Sequence, residues 1–302
     1  MTAFPALPYA VVGVTGRTGA AAAHALLRAG QPVRAVVRDP AQGRWWADRG
    51  AEIAVADLTD LASMTQALSR SRGAYVVCPQ HYGRDDLFEL ADAMAATTAR
   101  AALAARVPRL VALSSVGADR TGGTGWIRMN HMLEQRLKAA GVPTVFLRAA
   151  YFMENWAPMV AQAARSGTLP SFLAPPRRAL PMVATADVGS AAAALLLQGT
   201  GHWTGTRAVA LAGPRDYAPS DVAAVLAATL GRPIDVATVP EAQWAQALAD
   251  ARFSEAALAG FTEMTRGLNA SHIDIHSDSA ATEQAGATPL AQVIATLAQR
   301  PG

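Results

Sequence analysis

The amino-acid sequence predicts a doubly wound α/β fold: a parallel sheet with helices on both faces, followed by a smaller α+β lobe. Three observations carry the prediction. Tyr9-Ala10-Val11-Val12 is a short apolar run that breaks into glycines spaced three apart, Gly13, Gly16 and Gly19. Strand-length apolar runs then alternate with helix-length segments as far as Leu147, the mark of a parallel sheet covered on both faces. Beyond Arg148 the alternation loosens around a proline-rich connection, Pro170 to Pro181, and the remaining segments are too irregular for a second βα array.

Taken in order, Arg17 to Ala29 reads as an alanine-rich helix closed by Gly30. Val33 to Val37 is a second strand, and Pro40 suits the first turn of a short helix that carries Trp45 and Trp46 and ends at Gly50. Glu52 to Ala56 is a third strand, after which Thr59 or Asp60 can cap a helix running through Leu68. Ala74 to Cys78 is a fourth strand with Pro79 to Arg84 as its loop, and Asp85 to Arg106 is a long helix. A fifth strand, Arg109 to Leu113, leads through a polar loop, Ser114 to Gly125, to a helix from Trp126 to Ala140; Thr144 to Leu147 is the sixth strand. In the second half, helices are expected near Met153 to Ser166, Asp187 to Gln198, Ser220 to Leu230, Glu241 to Asp250 and Ser254 to Arg266. Strands fit Met182 to Ala184, Ala208 to Leu211 and Ile234 to Ala237.

Half of the 302 residues are hydrophobic and 16% are charged, a globular composition with enough apolar material for a substantial core. The net charge of +3 is spread without Lys/Arg runs, so nothing points to a nucleic-acid surface. Cys78 stands alone, which rules out an internal disulfide, and no Cys or His pairs have zinc spacing, so no metal is expected. The amino-terminal stretch lacks the basic start and cleavage site of a signal peptide, and the most apolar helix candidate, Val188 to Leu197, is too short to span a bilayer. A cytoplasmic protein without a membrane partner is expected.

The glycine turn sets the chemistry. Without a Cβ the chain can turn tightly at Gly13, approach a pyrophosphate at Gly16 and pack helix on strand at Gly19, with Thr15, Arg17 and Thr18 around the anion at the helix amino end. Residues 1–150 are therefore read as a Rossmann-type NAD(P)-binding domain, and residues 151–302 as a smaller lobe that interleaves with it around a cleft. Arg38 stands where an acidic residue would hold a ribose 2′-hydroxyl; a guanidinium there suits a 2′-phosphate and favours NADP(H) over NAD(H). Asp39, one residue on, keeps NAD(H) open. Arg17 is a second cation for the same phosphate, and Asp57 with Leu58 is placed to border the adenine. Cys78, Pro79 and Gln80 at the end of strand four, and Ser114 and Ser115 at the end of strand five, would pass beside the nicotinamide. His81 and Tyr82, and then Tyr151, Phe152, Asn155 and Trp156, are the residues expected to line the acceptor cleft; helical packing is the competing role for Met153 and Trp156, and a helix-surface position for His131.

With GVTGRTG, VRAVVRDP, ADLTD, LVALSSVGA and LRAAYFMENW in place, the chain resembles the NmrA-like family of atypical short-chain dehydrogenase/reductases, with weaker similarity through PMVATADVGSAAAALLL into the second half. The resemblance implies an NAD(P)-binding domain and a small carboxy-terminal lobe forming a substrate cleft. It also implies one of two roles: a reductase of quinones, azo dyes or triphenylmethanes, or a redox sensor that binds dinucleotide without turnover. One departure matters most. Alcohol- and ketone-transforming members of the wider superfamily use a Tyr-x-x-x-Lys pair on the helix after strand five, and the matching positions here are Trp126 and Asn130, neither of which can supply an acidic proton. Leu147-Arg148-Ala149 also stands where LRP is common. The expectation is an NAD(P)H-dependent reductase, NADPH-preferring, that passes hydride directly to a flat electron-poor acceptor, with the sensor as alternative and with a general acid from His272 or His276 as a third reading. The partner is a small aromatic or conjugated molecule; a second copy of the chain or a protein partner stays open.

Overall fold

The computed structural model describes residues 6–199, 203–278 and 280–299. β1 (Tyr9–Val12), α1 (Arg17–Arg28), β2 (Val33–Val37), α2 (Pro40–Ala47), β3 (Glu52–Val55) and α3 (Leu61–Leu68) come first. They are followed by β4 (Gly73–Val76), α4 (Leu87–Ala104), β5 (Leu110–Ser115), a 3₁₀ turn (Gly125–Ile127), α5 (Arg128–Ala139) and β6 (Thr144–Ala149). Next stand β7 (Tyr151–Phe152), a second 3₁₀ turn (Met153–Trp156), α6 (Ala157–Ser166), β8 (Thr168–Ser171), β9 (Leu180–Val183) and α7 (Thr185–Leu197). The chain continues with β10 (Thr206–Ala212), β11 (Asp216–Tyr217), α8 (Pro219–Leu230), β12 (Asp235–Thr238), α9 (Trp244–Ala247), α10 (Glu255–Asn269), β13 (Ala281–Ala285) and α11 (Leu290–Ala298).

The large sheet has eight parallel strands in the order β13-β10-β6-β5-β4-β1-β2-β3. The chain starts in the middle, runs outward to β3, then returns across β1 to β4, and that reversal leaves a crevice at the carboxyl ends of β1 and β4, where open α/β sheets bind ligands. Alternation along β1 builds both faces of the core: Tyr9 and Val11 pack on the α1/α7 side with Leu26 and Val188, while Ala10 and Val12 pack with Met64, Leu68, Leu133 and Phe146. The part beyond residue 150 does not form a body of its own. β10 and β13 extend the large sheet past β6, α7 lies along α1, and β7, β9 and β11 make one small sheet and β8 with β12 another. β13 reads ATEQA, half-exposed at the sheet edge, and its polar residues carry no apolar signal. α11 does carry one, because Leu290, Val293, Ile294 and Leu297 are its buried stripe.

Local chemistry explains the boundaries. Asp39 caps α2 by accepting from the Ala41 N–H at 2.8 Å, with Pro40 opening the helix, and Asp60, not Thr59, caps α3 through the N–H groups of Ala62 and Ser63. β5 runs on through Ser115 and β6 through Ala149 because their ladder continues in register, Ser114 opposite Arg148 and Ser115 opposite Ala149. The segment read as one helix from Glu241 to Asp250 is instead broken, with α9 only four residues long between two 3₁₀ turns.

The α1–α7 contact depends on Gly189, where a Cβ would overlap Ala21. Gly189→Ala should cost about 1–3 kcal/mol in urea unfolding through overpacking. Gly122→Ala, at a site with open space around it and no positive φ, should stay within about 0.5 kcal/mol of the parent.

Candidate functional site

The glycine turn sits at the crevice. Gly13 has φ +77°, and a Cβ there would overlap Val77 just beyond β4. The Gly16 N–H donates to the Gly13 carbonyl at 2.9 Å, and a Cβ at Gly19 would overlap that same carbonyl, so α1 is drawn onto β1 as closely as backbone allows. Gly16 is the N-cap of α1 and no side chain caps the helix, leaving its first N–H groups facing the crevice beside exposed Thr15, Gly16 and Arg17. Thr18 is buried against the Tyr75 phenol, whose pKa burial pushes up while Thr18 pulls the other way. A cradle emptied of Cβ atoms, ending in an uncapped helix, fits a dinucleotide pyrophosphate.

At one end of the crevice, Arg38 follows β2 while Asp57 and Leu58 follow the neighbouring β3, which brings the guanidinium near the carboxyl. Arg38 is exposed and, among the described residues, makes no hydrogen bond or ion pair; its charge acts on Asp57. Asp39 is taken up in capping α2, so of the two neighbours it is the guanidinium that is free for a ligand. Asp57 accepts from the Thr59 N–H at 2.8 Å and the Thr59 hydroxyl at 2.7 Å; the N–H first, then the hydroxyl, then Arg38 hold its carboxyl below the usual range. The Arg17 guanidinium donates to the Glu154 carbonyl at 3.5 Å, beyond β6 and on the far side of β1 from Arg38.

The other end of the crevice is formed by the segments that follow β4, β5 and β6. Cys78 is half-buried with Sγ 3.8 Å from the Ala91 carbonyl, and burial pushes its thiol up to about 12, which keeps it protonated and unreactive. Pro79 and Gln80 line the loop beyond it, and His81 is half-exposed beside them. Tyr82 does not hang over the crevice: its ring stacks on Trp126 at 3.9 Å and 27°, its hydroxyl donates to Gln80, and Phe253 meets it edge-on at 5.5 Å. Ser254 fastens this loop, its N–H donating to the Tyr82 carbonyl and its hydroxyl to the Arg84 carbonyl, both at 2.8 Å. Trp126 is itself buried, with Nε1 donating to the Ala257 carbonyl at 2.8 Å and with Gly125 and Gly260 letting α10 close onto it.

Ser114 and Ser115 part company because successive strand residues face opposite ways. Ser115 is half-buried at the strand end, whereas Ser114 points under α5 and donates to Glu134 Oε1 at 2.7 Å. Trp156 is likewise turned inward, 1% exposed in the core with Met153, while Tyr151 and Phe152 are half-buried and Asn155 is exposed. His131 Nδ1 donates to the Ala118 carbonyl at 2.8 Å, His272 Nε2 lies 3.1 Å from the Gly122 carbonyl, and His276 pairs with Glu283 in the open near β13. A hollow of about 510 Å³ lies away from the glycine turn, with Phe172, Trp244, Asn269 and Arg266 in its walls.

Sequence reasoning missed a buried ion cluster. Glu134 on α5, fully buried, accepts from Arg148 Nε at 2.8 Å and Nη2 at 2.6 Å, from Ser114 and from Lys138 Nζ at 3.1 Å, while Arg148 Nη1 pairs with Asp278. Burial pushes the Glu134 carboxyl up, but the Arg148 hydrogen bonds and charge outweigh it and hold the carboxyl below the ordinary glutamate value. The Glu134–Lys138 spacing is visible in sequence; Asp278, 130 residues from Arg148, is not.

Comparison with known proteins agrees with this architecture. The NmrA-like family model matches residues 9–285. The chain belongs to the NmrA-like family. Among curated relatives, it is 32% identical to the (4-alkanoyl-5-oxo-2,5-dihydrofuran-3-yl)methyl phosphate reductase of Streptomyces griseus over 74% of either chain. It is 29% identical to the NAD(P)H azoreductase of Xenophilus azovorans over 79% of either. Among solved structures, the NADPH complex of an Escherichia coli NADPH-dependent quinone oxidoreductase superposes with a TM-score of 0.77 at 23% identity, covering 96% of this chain and 99% of that one. Among the described residues no helix is long and apolar enough to cross a membrane.

Because Glu134 has a lowered folded-state pKa, its stabilising contribution is complete above the unfolded value of about 4.3 and is lost as pH falls through the folded one. Glu134→Gln should therefore cost about 3–5 kcal/mol at pH 7, since it leaves Arg148 buried and half-paired. In urea unfolding the gap to the parent should narrow as the pH drops below about 4.

Proposed function

We propose that this chain is an NADPH-preferring oxidoreductase that transfers hydride directly to a flat, electron-poor acceptor such as a quinone, an azo compound or an alkene conjugated to carbonyls. The observation that carries the reading is at Trp126. The residue matching the usual phenolic acid is an indole, buried under Tyr82, with its N–H already donated to Ala257. No acid stands there to protonate a carbonyl oxygen, yet the cofactor cradle is intact. Acceptors that take hydride at an electron-poor centre and draw the later proton from water need only positioning. The reductase relatives support the reaction class.

When bound, NADP(H) would supply the hydride from its nicotinamide ring. The chain's own part divides by place. The α1 amino terminus with Gly13, Thr15 and Gly16 would hold the pyrophosphate, Arg38 the 2′-phosphate, and Asp57 with Leu58 the adenine edge. Cys78, Pro79, Gln80 and Ser115 would flank the nicotinamide, and His81, Tyr151, Phe152 and Asn155 would face the acceptor. Cys78 stays a neutral thiol, so the ring is bordered by an uncharged side chain.

A second reading, a dinucleotide-binding regulator without turnover, is favoured by one feature: the β4 loop is latched to α10 through Ser254, and aromatic rings fill the space around Trp126. Stopped-flow mixing with NADPH and a panel of quinones, azo dyes and cationic dyes separates the two. Oxidation of NADPH by at least one acceptor is the expected result; tight NADPH binding with no absorbance loss across the panel would select the regulator. Arg38→Ala should weaken NADPH by about 1.5–3 kcal/mol, roughly ten- to 150-fold in Kd by calorimetry, with NADH nearly unchanged. Equal losses for both dinucleotides would move the ribose contact elsewhere.

A further inference from the structure

We propose that residues 272–278 form a strap that holds the turn after β5 in shape, with Asp278 and Arg148 as positioning residues for the nicotinamide edge. This rests on the reading that the cofactor's ring lies against the end of β5. The strap comes from the carboxy-terminal part of the chain and touches the β5 turn along its length. Ile273 Cγ2 lies 3.2 Å from where a Cβ at Gly117 would stand, and Gly117 has φ +88°, so only glycine fits beneath it. Arg120 Nη2 donates to the Ser277 hydroxyl at 2.8 Å, and the His272 imidazole meets the Gly122 carbonyl at 3.1 Å. Asp278 closes the strap by pairing with Arg148 Nη1, inside the cluster that also engages Ser114.

Electrostatics explain why that closure is strong. Arg148 is 4% exposed and has two fork nitrogens committed to Glu134, so its third nitrogen faces the interior with Asp278 as its close acid; Asp119 stands 4.0 Å away. A buried guanidinium left half-paired is costly, so the strap is pulled in by a charge that has no water to turn to. A packing role alone would need only Glu134 and Arg148. The reach to Asp278 adds something else, since it ties the end of β5, through Ser114 and the Gly117 turn, to a distant segment.

Hydrogen–deuterium exchange on the full-length chain without cofactor tests the strap directly. In Asp278→Asn, amides 114–123 should exchange at least tenfold faster than in the parent while residues 17–37 are unchanged, and Asp278→Glu should recover most of the protection. Arg120→Ala, which cuts the strap at its outer end without leaving a buried charge, should raise exchange about threefold at the same amides and serves if the asparagine variant unfolds. Unchanged exchange, or a rise spread over the whole chain, would overturn the strap. In turnover with NADPH and 2-methyl-1,4-naphthoquinone, Arg120→Ala should lower kcat with NADPH Kd within threefold; a loss confined to NADPH binding would overturn the positioning role. A parent chain that shows local protection but oxidises no NADPH would sink the functional reading and leave the strap standing.

Discussion

Much of this structure depends on how near α1 comes to β1. The Gly13 carbonyl occupies the place where a side chain at position 19 would be, so helix and strand meet at backbone distance. The same compression repeats sideways, where Gly189 lets α7 pack against Ala21 of α1 on the same face of the sheet. Packed from both sides, α1 cannot slide, and its amino terminus is presented to the crevice without a capping side chain. The open amino terminus of α1 is thus a by-product of two close contacts that tolerate no Cβ.

The two ends of the crevice are built on opposite principles. Past β2 and β3, charged groups are exposed and lightly engaged: Arg38 is open to solvent, and Asp57 is held by its own turn. Beside β5 and β6, Ser114, Glu134, Arg148 and the indole of Trp126 are buried and hydrogen-bonded. Groups held in that second way fix shape and have few bonds left to offer a ligand.

Most of the sheet was legible because its information is local. Short apolar runs gave β1 to β6 to within one to two residues, and Asp39, Asp60 and Pro40 mark helix starts by capping chemistry that spans two or three residues. The places of Arg38, Asp57 and the glycines were legible in the same measure, because each is set by its position after a strand. The hidden features depend on partners far away. Ser114 and Ser115 are neighbours in sequence with opposite roles decided by which face α5 covers, Trp156 and Met153 sit in an aromatic-rich stretch whose orientation only packing fixes, and Tyr82 stacks on a residue 44 positions later (126 − 82). β13 has a polar sequence and becomes a strand because β10 offers it a parallel edge. Ala208 to Leu211 was legible as a strand, but β13 was not, and neither was the way the two extend the main sheet past β6.

The order of synthesis gives the Arg148–Asp278 pair a further meaning. The acid is made 130 residues after the guanidinium, roughly 7 to 26 s later on a ribosome adding about 5–20 residues per second. Until then the six central strands can assemble, but their last one carries a cation with an unmet demand for a second counter-charge. The close acid that completes the pairing of the buried Arg148 therefore comes last, after Glu134 and the more distant Asp119 are already in place.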